Sequence, residues 1–151
     1  MTGAPPPGLF LREDALMRGA ELILRAERAL GDAAAAACAP EGLGRAHQRA
    51  LLLIARNPEL SVSDLQHLLR IRKQSLAPVL DDLAARGLIV RRRASTDRRR
   101  HLLSLTAAGV ALERRIFAAV RERIAAAYRQ AGPEKVAGFW KVLGLLGGEE
   151  G

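Results

Sequence analysis

The chain has 151 residues, with 24 Lys or Arg against 16 Asp or Glu and a formal net charge of +8. Hydrophobic residues make up 49% of it, too many for a disordered chain, and no apolar run approaches the about 18 residues a membrane span needs. This length suits one ordinary domain, or a small domain with an oligomerisation arm. The opening MTGAPPPG lacks the basic-then-apolar order of a secretory leader, and the single Cys38 excludes an internal disulfide framework. A cytoplasmic, bacterial protein is expected.

Residues 1–8, rich in Pro and Gly, read as a loose tail. A long helical pattern follows from Glu13 to Ala37, with Leu16, Ala20, Ile23, Leu24 and Leu30 apolar and an expected interruption at Gly31-Asp32. Cys38–Gly44, with Pro40 and two glycines, reads as a loop. Arg45–Arg56 is a second helix whose Ala46, Ala50, Leu51, Leu53 and Ile54 point inward; Asn57-Pro58 stops it.

The stretch from Leu60 to Gly109 is more specific. Ser61 followed by Asp64, ahead of Leu65, Leu68 and Leu69, is a capping-box signature. After a break at Arg70–Arg72, Leu76, Val79, Leu80 and Leu83 repeat at helical spacing until Gly87, a helix stop. Two short helices so joined form a helix-turn-helix. The period then turns extended. Leu88–Arg92 and His101–Thr106 read as a two-stranded hairpin with Ala94–Arg100 at its tip, and Thr106 caps the next helix. That helix spans Ala107–Ala131. Gly132-Pro133 breaks it, and Glu134–Leu146 forms the last one.

The fold class is therefore mainly α with a small β-hairpin wing: a winged helix-turn-helix core at 45–106, flanked by dimerisation helices at 9–44 and 107–151. Long apolar helices at both ends are too much surface for so small a core to cover, so a homodimer is expected. These end segments also hold every aromatic residue, Phe10, Phe117, Tyr128, Phe139 and Trp140. Their absence from the core disfavours single-stranded recognition, which uses aromatic platforms.

Charge placement indicates the partner. From Arg70 to His101 there are ten Arg or Lys and three Asp, which accounts for nearly all of the net charge. A basic face centred on one helix and one hairpin is the footprint of a double-stranded DNA binder. The codon bias of a GC-rich genome would raise the Arg count without clustering it. The competing interpretation is a winged helix that docks on an acidic protein surface.

The order of elements, with SVSDL, KQSL, DRRRHLLSLT and LTAAG in sequence, resembles the MarR family of transcriptional regulators from about Phe10 to Leu146. Asp97-x-Arg99 followed by Leu105-Thr106 and Gly109 is its most specific piece. GRAHQRA, KQSL and AYRQAGPEKVAGFWKVL resemble the PetP branch of that family. The resemblance implies a homodimer on a pseudo-palindromic operator, usually repressing by blocking polymerase. It also implies release from DNA when a small acidic or phenolic effector, or an oxidant, acts between the lobes.

Lys73, Gln74 and Ser75 begin the second helix, the end that meets the major groove in this motif. Gln pairs with adenine, Lys reaches guanine, and Ser serves base or phosphate. Plain phosphate contact is the alternative for each. Arg72 falls at the helix cap, where relatives often carry Ser or Thr, and supplies a cation for phosphate. Pro78 stands where relatives carry Arg, and it cannot donate to the carbonyl of Gln74. Either the helix starts near Ser75 or it bends at Pro78. At the wing, Arg98, Arg99 and Arg100 form the tip. By resemblance Arg99 enters the minor groove, with Asp97 pairing to it as wing support, while Arg91, Arg92 and Arg93 contact phosphates. His47 and Trp140 are candidates to line an effector pocket, against ordinary packing.

Catalysis has little support. His47, His67 and His101 lie far apart without paired carboxylates, and no Gly-rich phosphate cradle follows a strand. No metal or cofactor is expected. The Ala-rich surroundings of Cys38 offer nothing to activate a thiolate.

Overall fold

The computed structural model describes residues 3–149. In chain order it contains α1 (Glu13–Cys38), a 3₁₀ turn (Ala39–Glu41), α2 (Arg45–Arg56), β1 (Leu60–Ser61), α3 (Val62–Leu69), α4 (Lys73–Ala85), β2 (Ile89–Arg93), β3 (His101–Leu105), α5 (Ala107–Ala131) and α6 (Pro133–Gly147).

Two features depart from the sequence expectations. α1 runs unbroken through Gly31-Asp32. A mid-helix Gly costs about 1 kcal/mol against Ala, but the following alanines are strong helix formers and Cys38 is anchored in the core. The sheet has three strands, not two, in the antiparallel order β1-β3-β2. Leu60 pairs with Leu103 and Ser61 with Leu102. Two residues are too few to display a period of two, so β1 left no pattern.

Ser61 is both the end of β1 and the cap of α3. Its hydroxyl accepts from the Asp64 N–H at 3.0 Å, while its own N–H donates to Asp64 Oδ2 at 3.3 Å. The capping box is complete. α3 then ends on Arg70 in the left-handed region (φ 51°), a conformation that costs a side-chain-bearing residue about 1 kcal/mol.

Leu51, Leu65, Leu76, Leu80, Leu83 and Leu103 are fully buried, so α2, α3, α4 and the sheet share one core. Each such side chain contributes about 1.5–3 kcal/mol of burial. The i, i+3, i+4, i+7 spacing of Leu76, Val79, Leu80 and Leu83 turns one side of α4 onto this core and leaves the other to solvent.

Past α4, the chain reverses in a Schellman closure. The Gly87 N–H donates to the Ala84 carbonyl at 2.9 Å and the Leu88 N–H to the Leu83 carbonyl at 3.0 Å, with Gly87 at φ 69°. The Leu88 carbonyl then accepts from the Thr106 N–H at 3.0 Å. Thr106 caps α5 through Gly109 N–H at 3.0 Å. Gly109 lies so close to Leu88 that a Cβ there would collide with its carbonyl oxygen. Gly109→Ala is therefore expected to destabilise the protein by about 1–3 kcal/mol or more. Urea unfolding at fixed protein concentration checks this, and an unchanged midpoint would contradict the junction described.

Candidate nucleic-acid interface

α4 begins at Lys73. Arg72 is its cap residue with extended backbone and no side-chain cap, and its carbonyl accepts from Ser75 at 2.9 Å and Leu76 at 3.1 Å. The later start near Ser75 is thus corrected. The helix runs through Pro78 and leaves the Gln74 carbonyl without that residue's N–H. Lys73, Gln74, Ser75, Ala77, Pro78 and Asp81 are all exposed, opposite the buried leucines.

The wing tip is built on Asp97. Its Oδ1 accepts from the Arg99 N–H at 2.9 Å and from Arg99 Nε at 3.3 Å, and its backbone carbonyl accepts from the Arg100 N–H at 3.0 Å. This local turn holds the base of Arg99 while its side chain stands 92% exposed. Arg98 projects beside it, exposed and without an ion pair among the described residues. Arg100 reaches back to Asp64 Oδ2 at 3.4 Å, tying the tip to the start of α3.

Strand alternation divides the three arginines of β2. Arg91 and Arg93 share a face with buried Leu103, the α4 side, and Arg91 Nη2 meets Asp81 Oδ1 at 2.5 Å. Arg92 points to the opposite face and pairs with Glu59. The sequence grouped the three; the pleat separates them. Glu59 and Asp81, the carboxylates that hold Arg92 and Arg91, carried no signal in sequence, and Asp64 was marked there as half of a capping box but not as the partner of Arg100. Their partners lie up to 36 residues away.

A second polar chain runs behind α4. His47 Nε2 and Asp82 Oδ2 are 2.9 Å apart, Arg86 Nε donates to Asp82 Oδ1 at 3.1 Å, and Arg86 Nη1 donates to the Glu41 carbonyl at 2.7 Å. The Glu41 side chain in turn pairs with Arg115 of α5.

An apolar cleft of about 360 Å³ lies between α1, α2 and α5, floored by Leu30, Leu51, Ile116, Phe117 and Val120. Arg45 and Arg49, both on its wall, share the carboxylate of Glu27. Burial pushes the Glu113 carboxyl on the same wall upward, with Arg114 opposing. His47 and Trp140 do not line this cleft. His47 is held by Asp82, while Trp140 donates through Nε1 to the Tyr128 hydroxyl at 2.7 Å on the exposed α5–α6 surface. Cys38 is fully buried, and desolvation pushes its thiol up, the reverse of an activated thiolate. Among the described residues no three His, Cys, Asp or Glu gather to hold a metal, and no helix is long and apolar enough to cross a membrane.

This arrangement is a winged helix-turn-helix whose basic elements, α4 and the β2–β3 wing, stand on one core. The family model for the MarR family matches residues 41–100. The chain is 42% identical over 144 residues to the HTH-type transcriptional regulator PetP of Rhodobacter capsulatus, covering 94% of this chain and 87% of that one. Two solved structures are similar. NadR in complex with 4-hydroxyphenylacetate has a TM-score of 0.77 and 31% identity, over 85% of this chain and 91% of that one. The transcriptional repressor CouR bound to a 23-mer DNA duplex has a TM-score of 0.64 and 28% identity, over 83% and 89%. The chain belongs to the MarR family of transcriptional regulators.

Two carboxylates of the interface titrate low. Asp64 is depressed first by its hydrogen bond from Ser61, and Asp82 first by that from Arg86. A depressed folded-state value contributes stability above the unfolded value, about 4, and loses it as pH falls through the folded one. Glu113, raised by burial, acts in the opposite sense. Between pH 5 and 3 the urea midpoint of the wild type is expected to fall more than that of Asp64→Asn/Asp82→Asn. Equal falls would contradict these assignments.

Proposed function

We propose that the protein is a homodimeric repressor seated on a pseudo-palindromic operator. Lys73, Gln74 and Ser75 enter the major groove, Arg72, Arg91 and Arg93 hold phosphates, and Arg98, Arg99 and Arg100 flank or enter the adjacent minor groove. Arg92, turned to the far face of the sheet, is left out of this set. The observation that carries the proposal is the exposure of the α4 stripe and of Arg99 on elements anchored to one shared core. Residues 45–106 form the DNA-binding part on this view.

The second copy is supported by the apolar residues left exposed on the terminal helices, among them Met17 and Leu24 of α1 and Trp140, Leu145 and Leu146 of α6. A two-fold dimer of segments 9–44 and 107–151 covers them and repeats the reading elements along one side of the duplex.

The cleft between α1, α2 and α5 suits a small acidic or phenolic effector: an apolar floor for a ring, and an arginine pair whose present partner is an internal carboxylate. NadR, solved with 4-hydroxyphenylacetate, supports that class.

Fluorescence anisotropy on upstream genomic duplexes tests the DNA reading. Binding is expected to weaken steeply with salt, and Arg99→Ala to cost several-fold more than Arg114→Ala. Equal losses would contradict the wing assignment; binding indifferent to salt would favour the protein-docking alternative. In the same assay a panel of aromatic acids is expected to release DNA from the wild type and not from Arg45→Ala/Arg49→Ala. Release from both proteins alike would place the effector elsewhere.

A further inference from the structure

Four of the six wing arginines hold a carboxylate: Arg91 with Asp81, Arg92 with Glu59, Arg99 with Asp97 and Arg100 with Asp64. Three of these carboxylates lie in the wing or behind it. Asp81 differs. It is on α4, in the exposed stripe that starts at Lys73 and continues through Ala77 at i+4 spacing, so it shares the face on which the proposed reading residues stand. Among the described residues its pair with Arg91 is the one ion pair joining α4 to the wing strands.

An acid on a DNA-facing stripe needs a reason. Near phosphates it is repelled by every duplex, whatever the sequence. Its pairing with Arg91, however, uses only Nη2, leaving the rest of the guanidinium free to donate. Asp81 is 68% exposed while Arg91 is 33% exposed, so the cation is the more enclosed partner and is held in one direction. An arginine so held meets a phosphate oxygen only where the backbone passes at one place. An arginine released from Asp81 swings to whichever phosphate is near.

We propose that Asp81 is a positioning residue that makes the Arg91 phosphate contact depend on docking register. On a matched site, α4 and the wing are seated together and the phosphate comes to the held guanidinium. On random duplex, Arg91 contributes only by breaking from Asp81 and leaving that carboxylate uncompensated. Asp81 thereby suppresses binding to the wrong DNA more than binding to the right one. The inference rests on Arg91 being a phosphate contact, which a separate variant reports.

Anisotropy with the full-length protein on two probes, a random-sequence duplex and an operator selected from genomic fragments, across a salt series, tests it. Asp81→Asn is expected to tighten random-duplex binding about three- to fivefold and to steepen its salt slope by about one unit. Operator affinity changes less, so the specificity ratio falls. Asp81→Glu, which keeps the charge, retains the wild-type slope, and circular dichroism confirms that each variant is folded. In an Arg91→Ala background the gain from Asp81→Asn shrinks to the smaller effect of removing one repelling charge. A random-duplex affinity and slope unchanged by Asp81→Asn, or a full gain without Arg91, overturns the inference. Arg91→Ala leaving operator binding and slope intact overturns the phosphate assignment itself, and the inference with it.

Discussion

The peptide groups on either side of Leu88 are committed to different elements. Its N–H closes the end of α4 on the Leu83 carbonyl, and its carbonyl receives the Thr106 N–H at the start of α5. Gly109 presses against that same carbonyl, where any side chain would intrude. Recognition helix, wing and long helix therefore meet at one residue, whose own side chain is buried with Leu83 in the core. A shift of α5 cannot be absorbed at this point by a flexible loop. It must move the wing, the end of α4, or both. On the proposal that the cleft beside α5 takes the effector, this junction is a mechanical link from that cleft to α4 and the wing. The Asp82–Arg86–Glu41–Arg115 chain gives a second, polar link between the same helices.

The electrostatics of the DNA face are more restrained than its composition. Ten cations fall between Arg70 and His101, yet several are already engaged by carboxylates brought in from α3, α4 and the turn before β1. Surface pairs of this kind add little stability, at most about 1 kcal/mol each. Their larger effect is on direction. Arg99 is aimed by a turn built on Asp97, Arg91 by Asp81 of α4 and Arg100 by Asp64 in the first turn of α3, so the wing is presented as a shaped cationic edge rather than a mobile brush. Arg70, Arg72, Lys73, Arg93 and Arg98 are exposed and make no ion pair among the described residues.

Most elements were legible because their signals are local. The Ser61–Asp64 box, the Leu76–Leu83 period, Gly87 and Thr106 each act over a few residues, and all fall where their chemistry requires. The errors have equally specific causes. β1 is too short to show a period, and Gly31-Asp32 looks like a break because propensity ignores the core that anchors the end of α1. Pro78 allows either a start near Ser75 or a bend, and the Arg72 carbonyl, which organises the first turn, rules out the later start. At the site, the cationic residues could be read from charge clustering, whereas the assignment of Arg92 to the far face needed the strand register. The anionic partners were invisible for another reason: Glu59–Arg92 and Asp64–Arg100 join residues that only the sheet brings together. His47 and Trp140 are held by Asp82 and Tyr128, partners that no local pattern in the sequence announces.

In the proposed complex, two copies of the α4–wing unit lie along one side of B-form DNA. Hydroxyl-radical and methylation footprinting of the full-length protein on a selected operator tests it most directly. Two protected major-groove patches are expected about one helical turn apart, centre to centre, related by a dyad and flanked on the outside by minor-groove protection from the wings. A single protected patch without symmetry, or protection confined to phosphates with no base in either groove shielded, would contradict it.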